Sequence, residues 1–227
     1  EAFRGDDAAE PAGDKYRWTD ADMNSHLRFD LNYILRHLPD FVPAISMALQ
    51  ILALASVIAM IWGTILALAR LGRGPIYWAA TGYIELFRNT PLLVQIYFAF
   101  FGLPVFGIFL SSFTTGVLAI AAQHGAFFAE ILRGTIQSIQ TQQREAGLAL
   151  GMMPNQTMRY VILPQALRNA IPASGNQVVL LLQDTALVST IGVYEITKTA
   201  HSLAERSAAS FEMFVAIGVI YLIISGL

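Results

Sequence analysis

Residues 145–164 read EAGLALGMMPNQTMRYVILP, a moderately polar stretch between two apolar runs of membrane length. The residues that follow Glu145 favour helix, whereas Gly151 permits a sharp chain reversal that a residue with a Cβ would resist. Pro154 suits the first turn of a second helix, where its missing N–H costs nothing. Pro164 is expected to end or kink that second helix. The stretch therefore predicts two short helices at an angle to each other, held at a membrane face.

The composition around this stretch is that of a membrane protein. The mean hydropathy is +0.53, and 55% of the residues are hydrophobic while only 13% are charged. A soluble domain carries about 25% charged residues. The absence of cysteine excludes disulfides and thiolate metal sites. The four histidines are scattered without metal-ligand spacing, and no nucleic-acid-binding motif is present.

Five apolar segments predict an all-α membrane protein with five core transmembrane helices. Gly102 and Pro104 predict a kink near the far end of the second segment. The fifth segment is shorter than the roughly 20 residues needed to span a bilayer, so a continuation beyond it is expected. The five segments cover about residues 43–71, 90–110, 112–132, 171–191 and 211–227.

The charged residues divide the chain into two parts and set an orientation. Residues 1–42 form a polar, acidic tail, in which residues 32–42 predict a short amphipathic helix lying on the membrane. Residues 43–227 form the membrane domain. Arginine-rich loops face the cytoplasm, so residues 133–168 are predicted to be cytoplasmic and the tail extracytoplasmic. No signal peptide is visible, and an upstream membrane segment or export signal is therefore expected. The orienting arginines are Arg70, Arg73, Arg88, Arg133, Arg144, Arg159 and Arg168.

Three further stretches extend the pattern of residues 145–164: YIELFRNTPLLVQIYFAFFG at 83–102, GAFFAEILRG at 125–134, and PQALRNAIPASGNQVVLLLQDTALVSTIGV at 164–193. Together they resemble the type I ABC importer permeases, in the polar amino-acid branch that includes histidine, glutamine and arginine systems. Gly147 departs from that branch, which usually has alanine there. Because both residues are small, we expect the close packing to survive. The loop residues that match the family's Glu-Ala-Ala signature are Glu145, Ala146, Gly151, Ile162, Leu163 and Pro164.

The resemblance implies a complex in a bacterial inner membrane. It implies a second permease subunit, the same or homologous, together with two cytoplasmic ATPases and an extracytoplasmic solute-binding protein. This chain has no nucleotide-binding Gly-x-x-x-x-Gly-Lys loop, so ATP and magnesium would be bound by the ATPases and no cofactor by this chain. The resemblance assigns coupling to the ATPase to Glu145, Ala146, Gly147, Gly151, Met152, Leu163 and Pro164.

Residue chemistry predicts further details of the cytoplasmic loop at residues 133–168, which the resemblance identifies as the coupling loop. Glu145 is expected to stabilise the start of its helix and to pair with an arginine of a neighbouring subunit or with an ATPase cation. Met152, Met153 and Met158 either supply adaptable contact area or pack beneath the loop.

Polar residues inside the fourth segment predict a solute path. A carboxylate near the middle of a membrane costs about 2.5–3.5 kcal/mol, so Asp184 must face a cavity, a partner helix or a cluster of N–H groups. Asn176 and Gln183 are two helical turns apart, as are Gln177 and Asp184. The four predict a polar stripe that lines a pore or faces a second subunit. The alternative for Asp184 is a purely structural pair.

Three other polar positions have both a functional and a structural interpretation. Gln123 and His124, in the third segment, either contact solute or form interhelical hydrogen bonds. Gln95 either lines the pathway or is structural, and Glu130 is expected to pair with Arg133. Two rival functions remain at this stage. One is an ABC permease for methionine, phosphonate or a sugar, and the other is an ion-coupled secondary transporter, for which no internal repeat is evident.

Overall fold

The computed structural model describes residues 29–139, 141–207 and 209–226, so the predicted tail before Phe29 lies outside the described residues. Regular structure in these ranges is entirely helical. Besides the α-helices, the helical regions contain π turns at Phe98–Gly102 and Met158–Ile162 and 3-10 turns at Leu103–Phe106 and Thr185–Ile191. The α-helices are α1 Leu31–Ala69, α2 Pro75–Arg88, α3 Leu92–Tyr97, α4 Ser112–Ser138, α5 Thr141–Ala149, α6 Pro154–Thr157, α7 Leu163–Asp184, α8 Ile196–Ser207 and α9 Ser210–Ser225.

Helix α1 is continuous where the sequence predicted a separate surface helix over residues 32–42. Its 39 residues make it about 58 Å long, compared with a hydrocarbon layer of about 30 Å. Asp30 caps its start by accepting from the N–H groups of Asn32 and Tyr33. The helix continues because Ile34 and Phe41 are buried against α8 and α9, and this packing outweighs the two internal prolines.

The second apolar segment is preceded by a helix that the sequence did not predict. Pro75 begins α2, a position that proline favours, and α2 meets the α3 segment at a bend of 106°. The break falls just before Pro91, because the residue preceding a proline avoids helical geometry. The helix also changes to π and 3-10 turns around Gly102 and Pro104, but its sharpest bend lies at the break.

The free carbonyl groups at this break receive side-chain hydrogen bonds. The Gln95 amide donates to the carbonyl oxygens of Phe87 and Thr90 at 2.9 and 3.1 Å. The Gln123 amide, from α4, donates to the same two oxygens at 3.3 and 3.1 Å. The geometry therefore supports the structural interpretation of Gln95.

Helices α1 and α4 approach each other closely where Gly63 meets Gly125 and Phe128. A Cβ at Gly63 would lie 2.7 Å from both the Gly125 carbonyl oxygen and Phe128 Cβ, so glycine is required for this approach. At the end of the bundle where α1 finishes, Glu130 of α4 forms ion pairs with three arginines: Arg70 after α1, Arg88 at the end of α2, and Arg133 of α4. The predicted Glu130–Arg133 pair is present as part of this cluster. We name this end of the molecule the arginine end.

The opposite end is marked by Glu212 at the start of α9, while a second buried carboxylate, Glu195, lies deeper in the bundle beside Tyr221 of α9. The Asp30 N–H donates to Glu212 Oε1 at 3.2 Å, which brings the starts of α1 and α9 together. Glu195 is fully buried and accepts from the N–H groups of Thr197 and Lys198, which caps α8. Helix α8 was not predicted, because its sequence is polar on one side.

The helices differ in how readily they would cross a bilayer. By length and composition, α1 and α4 can each span a membrane alone. The bent pair α2–α3 and the bent run α6–α8 would each add one span if each is counted as a single segment. The apolar helix α9 is shorter, at 16 residues. The sequence predicted that Pro164 ends or kinks the second helix, and the helical run does not end there. The π turn at Met158–Ile162 precedes it, and Pro164 falls in the first turn of α7, where no N–H is needed.

Candidate functional site

The predicted helix–turn–helix is formed by α5, α6 and the turn between them. It is shorter than the predicted loop at residues 133–168, since α4 extends to Ser138 and α7 begins at Leu163, and we use the name coupling loop for residues 141–164. Helix α5 ends where Gly151 adopts a left-handed φ of +80°. The Gly151 N–H donates to the Leu148 carbonyl at 2.9 Å, and the Met152 N–H to the Gly147 carbonyl at 3.1 Å. These two bonds are those of a Schellman helix end, which requires a residue tolerant of positive φ.

The second short helix begins as the sequence predicted. Pro154 occupies its first turn. The side chain of Gln156 accepts from the Met153 N–H at 2.8 Å, which satisfies a donor that the helix itself cannot. The turn is thus fixed by bonds between close neighbours in the sequence.

The coupling loop presents an apolar face to its surroundings. Leu150 is 83% exposed, Met153 68% and Tyr160 65%. Met158 instead packs with Leu163 against a core cluster formed by residues of α1, α2, α4 and α7. These exposed apolar side chains are contact area available to a protein partner. Sequence reasoning missed Leu150 and Tyr160, although an apolar residue beside the glycine of a helix end was a usable signal.

The other predicted loop residues fall into distinct environments. Glu145 and Ala146 are exposed on α5, and Pro164 is exposed after the π turn. Because α5 begins at Thr141, Glu145 lies beyond its first turn, and the prediction that it stabilises a helix start is wrong. Its pairing with a cation of another subunit stays a prediction. Met152 is half-buried, and Gly147 is buried.

Gly147 also corrects an expectation from the sequence. A Cβ at this position would lie 2.6 Å from Thr157 Cγ2 and 2.9 Å from Thr157 Oγ1. Alanine would therefore not fit without movement of α6 against α5, so the two small residues are not equivalent here.

A second candidate site is a polar pocket between α4 and α7. His124 is buried, and its Nε2 lies 2.9 Å from Asp184 Oδ2. Its Nδ1 lies 2.7 Å from Gln177 Nε2. With the glutamine amide donating to Nδ1, the ring proton resides on Nε2 and is donated to Asp184. The three side chains form one hydrogen-bonded chain that fixes the orientation of the Asp184 carboxylate.

The pocket beside this chain has a volume of about 400 Å³, within the range of about 300–1,000 Å³ typical of small-ligand sites. The Asp184 side chain is 36% exposed, so one part of the carboxylate faces the opening. Gln123 lies at the edge, although its amide nitrogen is engaged by backbone carbonyls. Apolar side chains form the remaining wall: Pro91, Leu92, Leu93, Phe127, Leu180 and Leu187.

The structure divides the predicted stripe of four polar residues. Gln177 and Asp184 belong to the pocket, while Asn176 and Gln183 are exposed outside it. Adjacent helical residues are turned by about 100° from each other, which separates the two pairs. Only the pair Gln177 and Asp184 meets Gln123 and His124.

These two sites occur in a chain of known family. Residues 55–227 match the family described as the binding-protein-dependent transport system inner membrane component, and this chain belongs to that family. The family resemblance and the all-α permease fold predicted from the sequence are therefore confirmed.

The chain is similar to specific amino-acid permeases. It is 37% identical over 205 residues to the glutamine transport system permease protein GlnP of Escherichia coli (strain K12), covering 88% of this chain and 92% of that one. It is 34% identical over 206 residues to the glutamate/aspartate import permease protein GltK of Escherichia coli O6:H1, covering 87% and 92%. A solved structure of an amino acid ABC transporter with histidines superposes with a TM-score of 0.84 at 36% identity, covering 88% and 94%.

Proposed function

We propose that this chain is the permease subunit of an ATP-driven importer for polar or charged amino acids, in a bacterial inner membrane. One observation carries the proposal: the loop that matches the family's coupling signature presents an exposed apolar face with Leu150 at its tip. Two close relatives are named for glutamine and for glutamate/aspartate transport, and these names support an amino-acid substrate.

In the proposed orientation, the coupling loop faces the cytoplasm. Arg70, Arg88 and Arg133 gather at one end of the bundle, and arginine-rich ends face the cytoplasm. Helix α4 leads from this end into the coupling loop. The start of α1, beside Glu212, lies at the opposite, extracytoplasmic end.

The coupling loop transmits movement from an ATPase to the membrane helices. Its exposed face seats on the ATPase, and its π turn continues into Ile162 and Leu163, which pack in the cluster shared with α1, α2 and α4. ATP binding changes transport only by stabilising one orientation of these helices over another. The ATP and magnesium belong to two partner ATPases, and a solute-binding protein delivers the solute from outside.

The polar pocket receives the solute on its path. A carboxylate fixed by His124 attracts the α-ammonium group that every amino acid carries, and a cationic side chain adds a second attraction. The surrounding apolar wall limits the water that would screen this charge. Asn176 and Gln183 face the second permease subunit, because lipid cannot satisfy their amide groups.

The test measures ATPase binding and ATP-dependent transport in the full complex with its ATPase and binding protein. We expect Leu150→Ser to reduce the amount of ATPase that co-purifies with the permease. The control is Ile76→Ser, at an apolar residue outside the coupling loop that is 69% exposed, compared with 83% for Leu150, and this variant should retain the ATPase. The wild-type complex in proteoliposomes should import amino acids only with ATP inside the compartment that the coupling loop faces. Uptake without ATP, or full ATPase retention by Leu150→Ser, would contradict the proposal.

A further inference from the structure

Gly147 of α5 is in direct contact with Thr157 of α6, and the contact is unusually tight. Gly147 is buried while its neighbours on α5 are exposed, and Thr157 has no exposed surface. No larger residue fits at position 147, because a Cβ there would meet both branches of the threonine, at 2.6 and 2.9 Å.

The threonine side chain is held in place. Thr157 Oγ1 donates to the Met153 carbonyl at 3.2 Å, and the Thr157 N–H donates to the same oxygen at 2.9 Å. A β-branched side chain also has few rotamers available. A Cβ at position 147 would therefore displace the backbone of α6 rather than rotate the threonine.

Gly147 is also part of the turn itself. Its carbonyl oxygen accepts the Met152 N–H that closes the Schellman end of α5. The same residue thus ends one short helix and forms the surface on which the other rests. Any shift there changes the angle between the two helices and moves the exposed Leu150 and Met153.

We propose that Gly147 and Thr157 are positioning residues, matched in size, that set the angle between the two helices of the coupling loop. The inference rests on the proposed coupling of this loop to an ATPase. In this chain the threonine side chain fills the space where the two helices cross. Alanine at position 147 should then impair coupling, although alanine is the better helix former. It should be tolerated when Thr157 is replaced by a smaller residue.

The experiment is a size exchange in the full complex in proteoliposomes, measured as amino acid transported per ATP hydrolysed. We expect Gly147→Ala to lower this ratio by about fivefold or more. The double variant Gly147→Ala/Thr157→Ala should return to within about twofold of wild type, since the new methyl group occupies the space that the threonine leaves. Gly218→Ala is the matched control, because a Cβ on that helical glycine meets nothing within 4 Å.

Two results would overturn the inference. One is a wild-type ratio for Gly147→Ala, and the other is a loss that the second substitution does not restore. Failure of the coupling role itself is distinguishable, because the ratio would then stay at the wild-type value even when the turn is distorted by Gly151→Val. Thr157→Ser, which keeps the hydroxyl group and removes Cγ2, should rescue Gly147→Ala in part.

Discussion

The coupling loop is shaped by bonds between near neighbours, whereas the polar pocket joins His124 to Gln177 and Asp184, which are 53 and 60 positions away. The coupling loop can therefore move as one rigid body while its internal bonds persist. The pocket has no such independence, since its geometry changes whenever α4 shifts against α7. In the proposed mechanism, the coupling loop is the rigid element that transmits movement and the pocket is the site that responds to it.

The largest effect is expected at Glu130, on the helix that connects the two regions. Glu130→Gln leaves Arg70, Arg88 and Arg133 without their shared carboxylate. Breaking a buried ion pair costs about 3–5 kcal/mol, and we expect the lower end because two of the arginines are about one-third exposed. Thermal unfolding of the purified complex measures the loss. Glu85→Gln, at an exposed carboxylate, is the control, and equal melting temperatures for both variants would contradict the cluster's role.

A distorted turn should separate the two regions functionally. Gly151→Val places a β-branched residue at a φ of +80°, which costs on the order of 1–2 kcal/mol. We expect ATP hydrolysis to continue with less transport per ATP, while the pocket keeps its affinity for solute. Gly134→Val, at a helical glycine with open space around it, controls for the added side chain. Wild-type coupling in Gly151→Val would mean that the turn does not transmit movement.

The smallest effect is a change of selectivity in the pocket. Asp184→Asn removes the negative charge but keeps the shape, so cationic amino acids should lose about 1 kcal/mol, or about fivefold, relative to neutral ones, as expected for a partly exposed charge. Transport of several amino acids, normalised to assembled complex, measures the ratio. Gln183→Leu, one residue away and outside the pocket, should leave the ratio unchanged. Equal losses for every solute would mean that Asp184 does not attract the cationic side chain.

The coupling loop was largely predictable because its signals are local. Gly151 permits a positive φ that other residues resist, Pro154 fixes its own φ, and the structure uses both as expected. The contact between Gly147 and Thr157 was not predictable in the same way. The distance between their atoms depends on how α6 packs against α5, whereas the sequence shows only that residue 147 is small.

The pocket was predictable only in part. The two-turn spacing placed Gln177 beside Asp184, but it equally grouped Asn176 with Gln183, and nothing in the spacing tells which pair faces the bundle. The choice depends on how α7 is rotated against α4. The Glu130 cluster shows the same limit, since Arg133 follows from i,i+3 spacing whereas Arg70 and Arg88 come from other helices.

The sequence by itself determined the family, the helical class, the apolar segments and the turn of the coupling loop, because composition and residue-specific backbone preferences act within a few residues. Tertiary structure alone decided that α1 continues through residues 32–42, that His124 orients Asp184, and that Glu130 joins three arginines. Each of these depends on packing between helices distant in sequence. Burial there outweighs local preference, and the partners of a buried polar group are chosen by proximity in space.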